Sequence, residues 1–544
     1  MLRALTVSHD DDHDVSPQPR PYSLDMDKDA ALVTTTVPDY HDGLREKMDK
    51  PKDDTLPSGS SSGGGFQRYI NQLAINNFGF TLQVAWEAVG LSFQLAWLNG
   101  GPAALVWGSM IAGVGSTLVA TALGEMASMD PTVGAQYRWS ARFAPFAPEF
   151  WGFIQGWITV IAWTCSCAGA FSFMSNTLSG LIIFNSPSYE PKAWHSTVFL
   201  IAFLIVPLVL NLYLRKIINY LETIGGLFHV ILFVAIVATL CTLAKRSTPE
   251  YVFMTLHTDA GWTNPGVAFS IGLLAVAYPI SSFDGVLHMI EETKEPRKRV
   301  PKAMILATSL NAIMMIAFCI CLMFCIGDEE AVANSILPIT EVFYSATGSK
   351  AASTAMTVLM GLQLMVGNFN IVASVARLVW RFASDKGLPF HQHFTYIHPT
   401  LQVPIPALFL VGFVCCLLSL INLGSAAAFN SLISLPTIAL YVSYLVPITL
   451  FTARQLAGRH PKYGPFQLGR WSVPIKLCAI VYLIYVIIFV SFPASRPVTS
   501  LTMNYAPPIL IGFMVIAMVD WFVRGRKKFE VPTAALEHAE DERP

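Results

Sequence analysis

From about residue 76 onward, the chain alternates long apolar runs with short polar segments. A helix needs about 20 mostly apolar residues to cross about 30 Å of hydrocarbon. That length predicts about twelve crossing segments, near 76–98, 102–126, 150–183, 196–214, 218–243, 265–290, 301–327, 352–382, 405–423, 428–452, 473–493 and 503–523. Lipid offers the backbone no hydrogen-bond partners, so such runs must be helical. The pattern therefore predicts an all-α membrane protein. The weakest divisions fall between the fourth and fifth runs and between the ninth and tenth.

Two of the runs are interrupted by acids. The first contains Trp86-Glu87-Ala88 near its middle, and the sixth reads Ala277-Tyr278-Pro279-Ile280-Ser281-Ser282-Phe283-Asp284-Gly285. A carboxylate at bilayer depth costs about 2.5–3.5 kcal/mol on insertion scales, so it is expected to face a cavity or a partner. Pro279 lacks a backbone donor and Gly285 permits unusual dihedrals, which predicts a divided sixth helix. Both interruptions read aromatic, acid, small, and they open two successive sets of five helices. Paired interruptions at matching positions are the sequence signature of a transporter built from inverted repeats, with its substrate site at the breaks. Half-helix N-termini attract a carboxylate, while freed carbonyls and an acid attract an ammonium group. Trp86, Tyr278 and Phe283 offer π faces to a cation. The candidate substrate-binding residues are thus Trp86, Glu87, Ala88, Tyr278, Ser281, Ser282, Phe283, Asp284 and Gly285. The competing reading is structural: a lone Glu87 bonded to a neighbouring helix, or Asp284 capping a half-helix.

Composition agrees with the apolar pattern. Of 544 residues, 53% are hydrophobic and 13% charged, against about 25% charged in soluble proteins. A net charge of -1 without a concentrated basic patch gives no sign of a nucleic-acid partner. The nine cysteines all lie in apolar runs and read as small buried residues; the C-x-C pairs Cys165/Cys167 and Cys319/Cys321 point in different directions on a helix, so no metal is expected. Neither a metalloprotease helix nor a nucleotide-binding loop occurs, so neither enzyme nor ATP-driven pump is indicated, and no cofactor is expected. With the N-terminus inside, 21 Lys and Arg fall in inner segments against 5 in outer loops, which predicts that both termini are cytoplasmic. Residues 1–65, rich in Asp, Pro, Ser and Gly, read as a disordered acidic cytoplasmic tail rather than a signal peptide. Residues 66–525 form the membrane domain and 526–544 a second cytoplasmic tail. Lys28, Lys47, Lys50 and Lys52 are candidate acceptors for the ubiquitination machinery.

Other polar residues suggest further roles. Glu125, at the end of the second run, precedes Arg138 and Arg142, a candidate cytoplasmic gate. Glu222 and His229 share one face of the fifth helix, and with Glu87 and Asp284 they are candidate proton carriers, Glu87 being favoured. Asn368 and Asn370 are amides at membrane depth on the eighth helix. The mixed run from Glu291 and Glu292 to Arg299 reads as a solvated inner loop.

Five stretches resemble the amino acid–polyamine–organocation superfamily, and more narrowly the fungal amino acid/choline transporter family with its GABA and choline permease-like members. They are Trp86-Glu87-Ala88 with Asn99-Gly100-Gly101-Pro102; Gly124 to Trp139; Gln155-Gly156-Trp157; Phe283-Asp284-Gly285 through His288 and Glu291 to Pro301; and Arg377 to Trp380 followed by Ser384-Asp385-Lys386-Gly387-Leu388-Pro389. Ala135 stands where the family usually has a second glycine, and Ser384 where it usually has arginine. The resemblance implies a ten-helix inverted-repeat core with discontinuous helices one and six, plus two peripheral helices. It implies alternating access and proton-coupled uptake of an amino acid, GABA, choline or polyamine. The expected location is the plasma membrane, with the vacuolar membrane as alternative. An exchanger or exporter of a specialised metabolite, or a transporter-like nutrient sensor, are the competing functions.

Overall fold

A computed structural model of the chain describes residues 68–213, 218–424 and 426–531. The N-terminal tail with its four lysines and most of the second tail lie outside the described residues. Among the described residues, ten helices are long and apolar enough to cross a membrane. They include α4 (Gly101–Met129), α6 (Pro148–Asn185), α7 (Ala193–Tyr213), α8 (Ile218–Leu243) and α12 (Pro296–Phe324). The others are α15 (Lys350–Ser384), α16 (Ile405–Gly424), α17 (Ala426–Leu456), α18 (Ser472–Val490) and α19 (Ala506–Asp520), the last continuing through a π turn to Lys528. The short helices α9 (Pro249–Met254), α13 (Glu329–Asn334) and α14 (Pro338–Thr347) lie between spans. The first and sixth runs are absent from these ten because each is divided. The first comprises α1 (Gln72–Gln83), α2 (Ala85–Ser92) and α3 (Gln94–Leu98). The sixth comprises α10 (Pro265–Gly272), α11 (Leu274–Ala277) and a 3-10 helix, Phe283–Glu292. The protein is an integral, multi-pass, all-α membrane protein. The described residues hold no strand, only the isolated bridge between Ile70 and Thr293.

Burial sorts the helices. The most apolar stretch of α6 is 94% buried, whereas that of α19 is 11% buried. Ile205, Val234, Ile313, Phe413, Val481, Ile488, Ile511 and Val515 are exposed, as expected of side chains that meet lipid. The interior instead holds polar and charged side chains, including Glu87, Glu125, Glu222, Asp284, Arg377 and Lys476. This inside-out distribution follows from the solvent: charges at bilayer depth turn inward to find partners.

The break in the first span lies two residues earlier than Trp86-Glu87-Ala88. Val84 takes the left-handed conformation, φ 40° and ψ 47°, between α1 and α2, an unfavourable one for a β-branched residue. Asn311 of α12 holds it there. Its Nδ2 donates to the Phe80 carbonyl at 3.0 Å and to Gln83 Oε1 at 3.2 Å, while its Oδ1 accepts the Ala85 amide at 3.3 Å. One amide side chain thus serves backbone groups on both sides of the break.

In the sixth span the left-handed residue is Ser282, φ 66°, not Gly285. Gly285 is needed for another reason. A Cβ there would overlap Leu82 of α1 and the Trp163 ring of α6, so its bare Cα lets the two broken helices and α6 pack closely.

Asn311→Leu keeps the volume but leaves the Phe80 carbonyl and Ala85 amide unpaired. It should cost about 1–3 kcal/mol, read as a lower melting temperature of the purified protein in detergent.

Candidate substrate site

The two breaks are neighbours. Gln83, the last residue of α1, donates from Nε2 to the Ile280 carbonyl at 2.9 Å and to that of Ser281 at 3.4 Å. Gln83 therefore occupies carbonyls released by the sixth-span break, while its own Oε1 accepts from Asn311. Neither residue stood out in the sequence; the only signal was an amide within an apolar run.

Beyond each left-handed residue the chain re-enters a helix, and each acid lies in that helix's first turn: Glu87 in α2 and Asp284 in the 3-10 helix. Both acids are fully buried, but their bonding differs. Asp284 is saturated: Oδ2 accepts from Gln136 Nε2 at 2.5 Å and Trp163 Nε1 at 2.9 Å, and Oδ1 accepts from the Tyr444 hydroxyl at 2.5 Å. The donors come from α5 (Ala135–Phe143), α6 and α17, so Asp284 fastens three elements to the break. Glu87 is half-used. Its Oε1 meets His229 Nδ1 at 2.6 Å, whereas Oε2 and His229 Nε2 have no hydrogen-bond partner among the described residues.

Aromatic rings surround this half-used pair. Trp86 has ring centroids 6.0 Å from His229, 5.6 Å from Phe233 and 5.1 Å from Phe318, and Phe80 meets His229 edge-on at 4.5 Å. The Trp86 indole N–H is also unpartnered among the described residues. On the sixth span, Phe283 lies 5.0 Å from the Tyr444 ring and Tyr278 stacks on Phe173 at 5.7 Å. Ser281 turns its hydroxyl back to the Tyr278 carbonyl. Ala88, of α2, is buried.

Glu222 occupies a separate polar cluster. Its Oε2 accepts from the Thr81 hydroxyl at 2.6 Å and from Asn370 Nδ2 at 3.1 Å, joining α1, α8 and α15. Its Oε1 and Asn370 Oδ1 are unpartnered among the described residues. Asn370 thus bonds neighbouring helices, and Asn368 is buried with its Nδ2 unpartnered among the described residues.

The expected ion pair between Glu125 and the following arginines does not form. Glu125 instead accepts from Lys476 Nζ at 2.8 Å, the Ser472 hydroxyl at 2.6 Å and the Leu468 amide at 2.9 Å. Arg138 lies 3.5 Å from Asp130, and the Arg142 carbonyl accepts from Arg454. The segment read as a solvated loop supplies a buried ion pair at this end. Glu292 is buried and 2.6 Å from Arg377 of α15, while its carbonyl accepts the Tyr69 and Ile70 amides. The chain entering the first span is thereby bonded to the exit of the sixth, and that exit is paired with the eighth. Sequence spacing could not reveal this, because Arg377 and Glu292 meet only after folding.

Comparison with known proteins bears on what such a site does. The family model described as amino acid permease matches residues 78–516. The choline transporter of Saccharomyces cerevisiae is 28% identical over 91% of this chain and 88% of its own length. Amino-acid permease 2 of Neurospora crassa is 26% identical over 88% of each chain. The GABA-specific permease of S. cerevisiae is 28% identical over 84% of this chain and 83% of its own.

Arg377→Met removes the guanidinium that is 2.6 Å from the Glu292 carboxylate. It should destabilise the protein by about 3–5 kcal/mol, as breaking buried ion pairs does. Adding Glu292→Gln should recover most of that loss in thermal unfolding; additive losses would contradict the pair.

Proposed function

Because this chain belongs to the amino acid permease family, and is therefore a transporter rather than an enzyme, we propose that it takes up a small amine-bearing solute by proton-coupled alternating access. The substrate binds between the two breaks. The observation that carries this reading is the half-bonded Glu87 carboxylate at the start of α2, facing His229 within a group of aromatic rings.

The chemistry suits a cation. An ammonium group gains from an acid and from π faces, and both gains grow where water is excluded. Trp86, Glu87 and Ala88 line the first-span side, with Tyr278, Ser281, Ser282, Phe283 and Gly285 opposite. Asp284, saturated by three donors, serves to hold the break in place and couples it to α6 and α17. The matching acids fit two five-helix repeats of opposite orientation, with the first and sixth spans at corresponding positions. Relatives named for choline, amino acids and GABA differ in whether the substrate carries a carboxylate; all three carry a cationic nitrogen.

Proton coupling is assigned to Glu87 with His229 and, secondarily, to Glu222. Each carboxyl has one bonded and one unshared oxygen, an arrangement open to protonation without rebuilding the cluster. The pair of Glu292 with Arg377, rather than Glu125 with Arg138 or Arg142, closes the arginine-rich end, which the charge bias places in the cytoplasm. The plasma membrane is the proposed location, with both termini inside and the N-terminal lysines available to ubiquitination.

Uptake of radiolabelled choline, GABA and a panel of amino acids in a permease-deficient fungal host tests the proposal. At least one should accumulate, and an uncoupler should abolish accumulation. Glu87→Gln should reduce uptake at least tenfold while surface abundance is kept. Unchanged kinetics and pH dependence in that variant would contradict the assignment.

A further inference from the structure

The break in the sixth span releases backbone carbonyls that a continuous helix would have used, and in hydrocarbon each needs a donor. Ile280 and Ser281 give theirs to Gln83, as described. That of Ala277, the last residue of α11, accepts from the Tyr441 hydroxyl of α17 at 3.0 Å. Tyr444, one turn along the same helix, holds Asp284 on the far side of the break. The tenth span therefore grips the break at both edges.

The bonding continues into the eleventh span. The Tyr441 oxygen lies 3.2 Å from the Tyr482 hydroxyl of α18, which lies 3.3 Å from Ser116 Oγ of α4. All three side chains are buried. The carbonyl can only accept, so the contact at 3.0 Å uses the Tyr441 proton. With the Tyr441 proton on Ala277, its oxygen is left to accept from Tyr482, and the Tyr482 oxygen from Ser116; the Ala112 carbonyl, 3.5 Å from the Tyr482 hydroxyl, is the longer and weaker alternative acceptor. Aligned hydroxyls of this kind strengthen one another. The backbone of α4 is shaped to admit the second ring: a Cβ at Gly115 would overlap the Tyr482 ring carbons.

The rest of α18 supports the same connection. Three residues on, the Tyr485 hydroxyl lies 2.7 Å from Ser270 Oγ in α10, the first segment of the sixth span. Near its start, Lys476 pairs with Glu125 of α4. The eleventh span thus joins the second span and the intact part of the sixth through buried polar contacts.

We propose that Tyr482 is a positioning residue for the substrate site. It touches no part of the proposed site itself. It orients the Tyr441 hydroxyl on the Ala277 carbonyl, and this keeps the sixth span unwound at one fixed place. The assignment to substrate positioning rests on the transport reading above, whereas the effect on the break does not.

Hydrogen–deuterium exchange of the full-length protein in lipid nanodiscs separates the two. Tyr482→Phe and Tyr441→Phe each delete one hydroxyl and keep the ring. Each should speed exchange in the peptide covering residues 278–285 about tenfold, the effect of losing one hydrogen bond, with α12 unchanged. The double variant should match Tyr441→Phe alone, because Tyr482 acts only through Tyr441. Gly115→Ala, which displaces the Tyr482 ring, should reproduce the effect. Unchanged exchange in Tyr482→Phe, or additive effects in the double variant, would overturn the proposal. With radiolabelled choline and GABA as probes, Tyr482→Phe should raise KM severalfold and leave maximal uptake near that of the parent chain. Normal KM for a transported probe would overturn the positioning role. Failure of the parent chain to take up choline, GABA or any amino acid of the panel would count against the proposed substrate class, and the exchange result alone would then decide the role of Tyr482 at the break.

Discussion

A helix broken within a bilayer must find a partner for every backbone group it releases, because hydrocarbon supplies none. Much of the interior of this protein follows from that requirement. Asn311 serves Phe80 and Ala85, Gln83 serves Ile280 and Ser281, and Tyr441 serves Ala277. These side chains come from the seventh, first and tenth spans, so the breaks are held from several directions. Val84 and Ser282 occupy left-handed conformations that cost about 1–3 kcal/mol each. The surrounding hydrogen bonds keep them there.

The same requirement separates the roles of two acids that look alike in sequence. Asp284 has three donors and binds the break to its scaffold. Glu87 has one partner, His229, and an oxygen to spare among aromatic rings. A saturated carboxylate fixes geometry; an unsaturated one can exchange a partner for a ligand or a proton. The proposed alternating access would use both: a site that stays in place while the ends of the helices around it open and close. At the arginine-rich end the first, sixth and eighth spans are joined by the buried pair of Glu292 and Arg377, with the Tyr69 and Ile70 amides on the Glu292 carbonyl.

The sequence made the membrane class, the crossing segments and the two interrupted helices legible. Each leaves a strong local mark: twenty apolar residues, or an acid within them. The exact breaks were less legible, since Val84 is an unremarkable apolar residue and its conformation is imposed from outside by Asn311. The structure also reassigns the partners of Glu125, from the nearby Arg138 and Arg142 to the distant Lys476. Glu292 moves from a solvated loop to a buried pair for the same reason. Partners separated by tens or hundreds of residues leave no spacing pattern, and the polar network around the breaks is built almost wholly from such pairs.

The most direct test of the central claim is a substrate-bound structure of the protein in lipid nanodiscs, using the amine that uptake identifies. The account predicts ligand density between Val84–Ala88 and Tyr278–Phe283, with the cationic nitrogen within hydrogen-bond distance of Glu87. Density elsewhere, or a ligand at the breaks whose nitrogen turns away from Glu87, would contradict it.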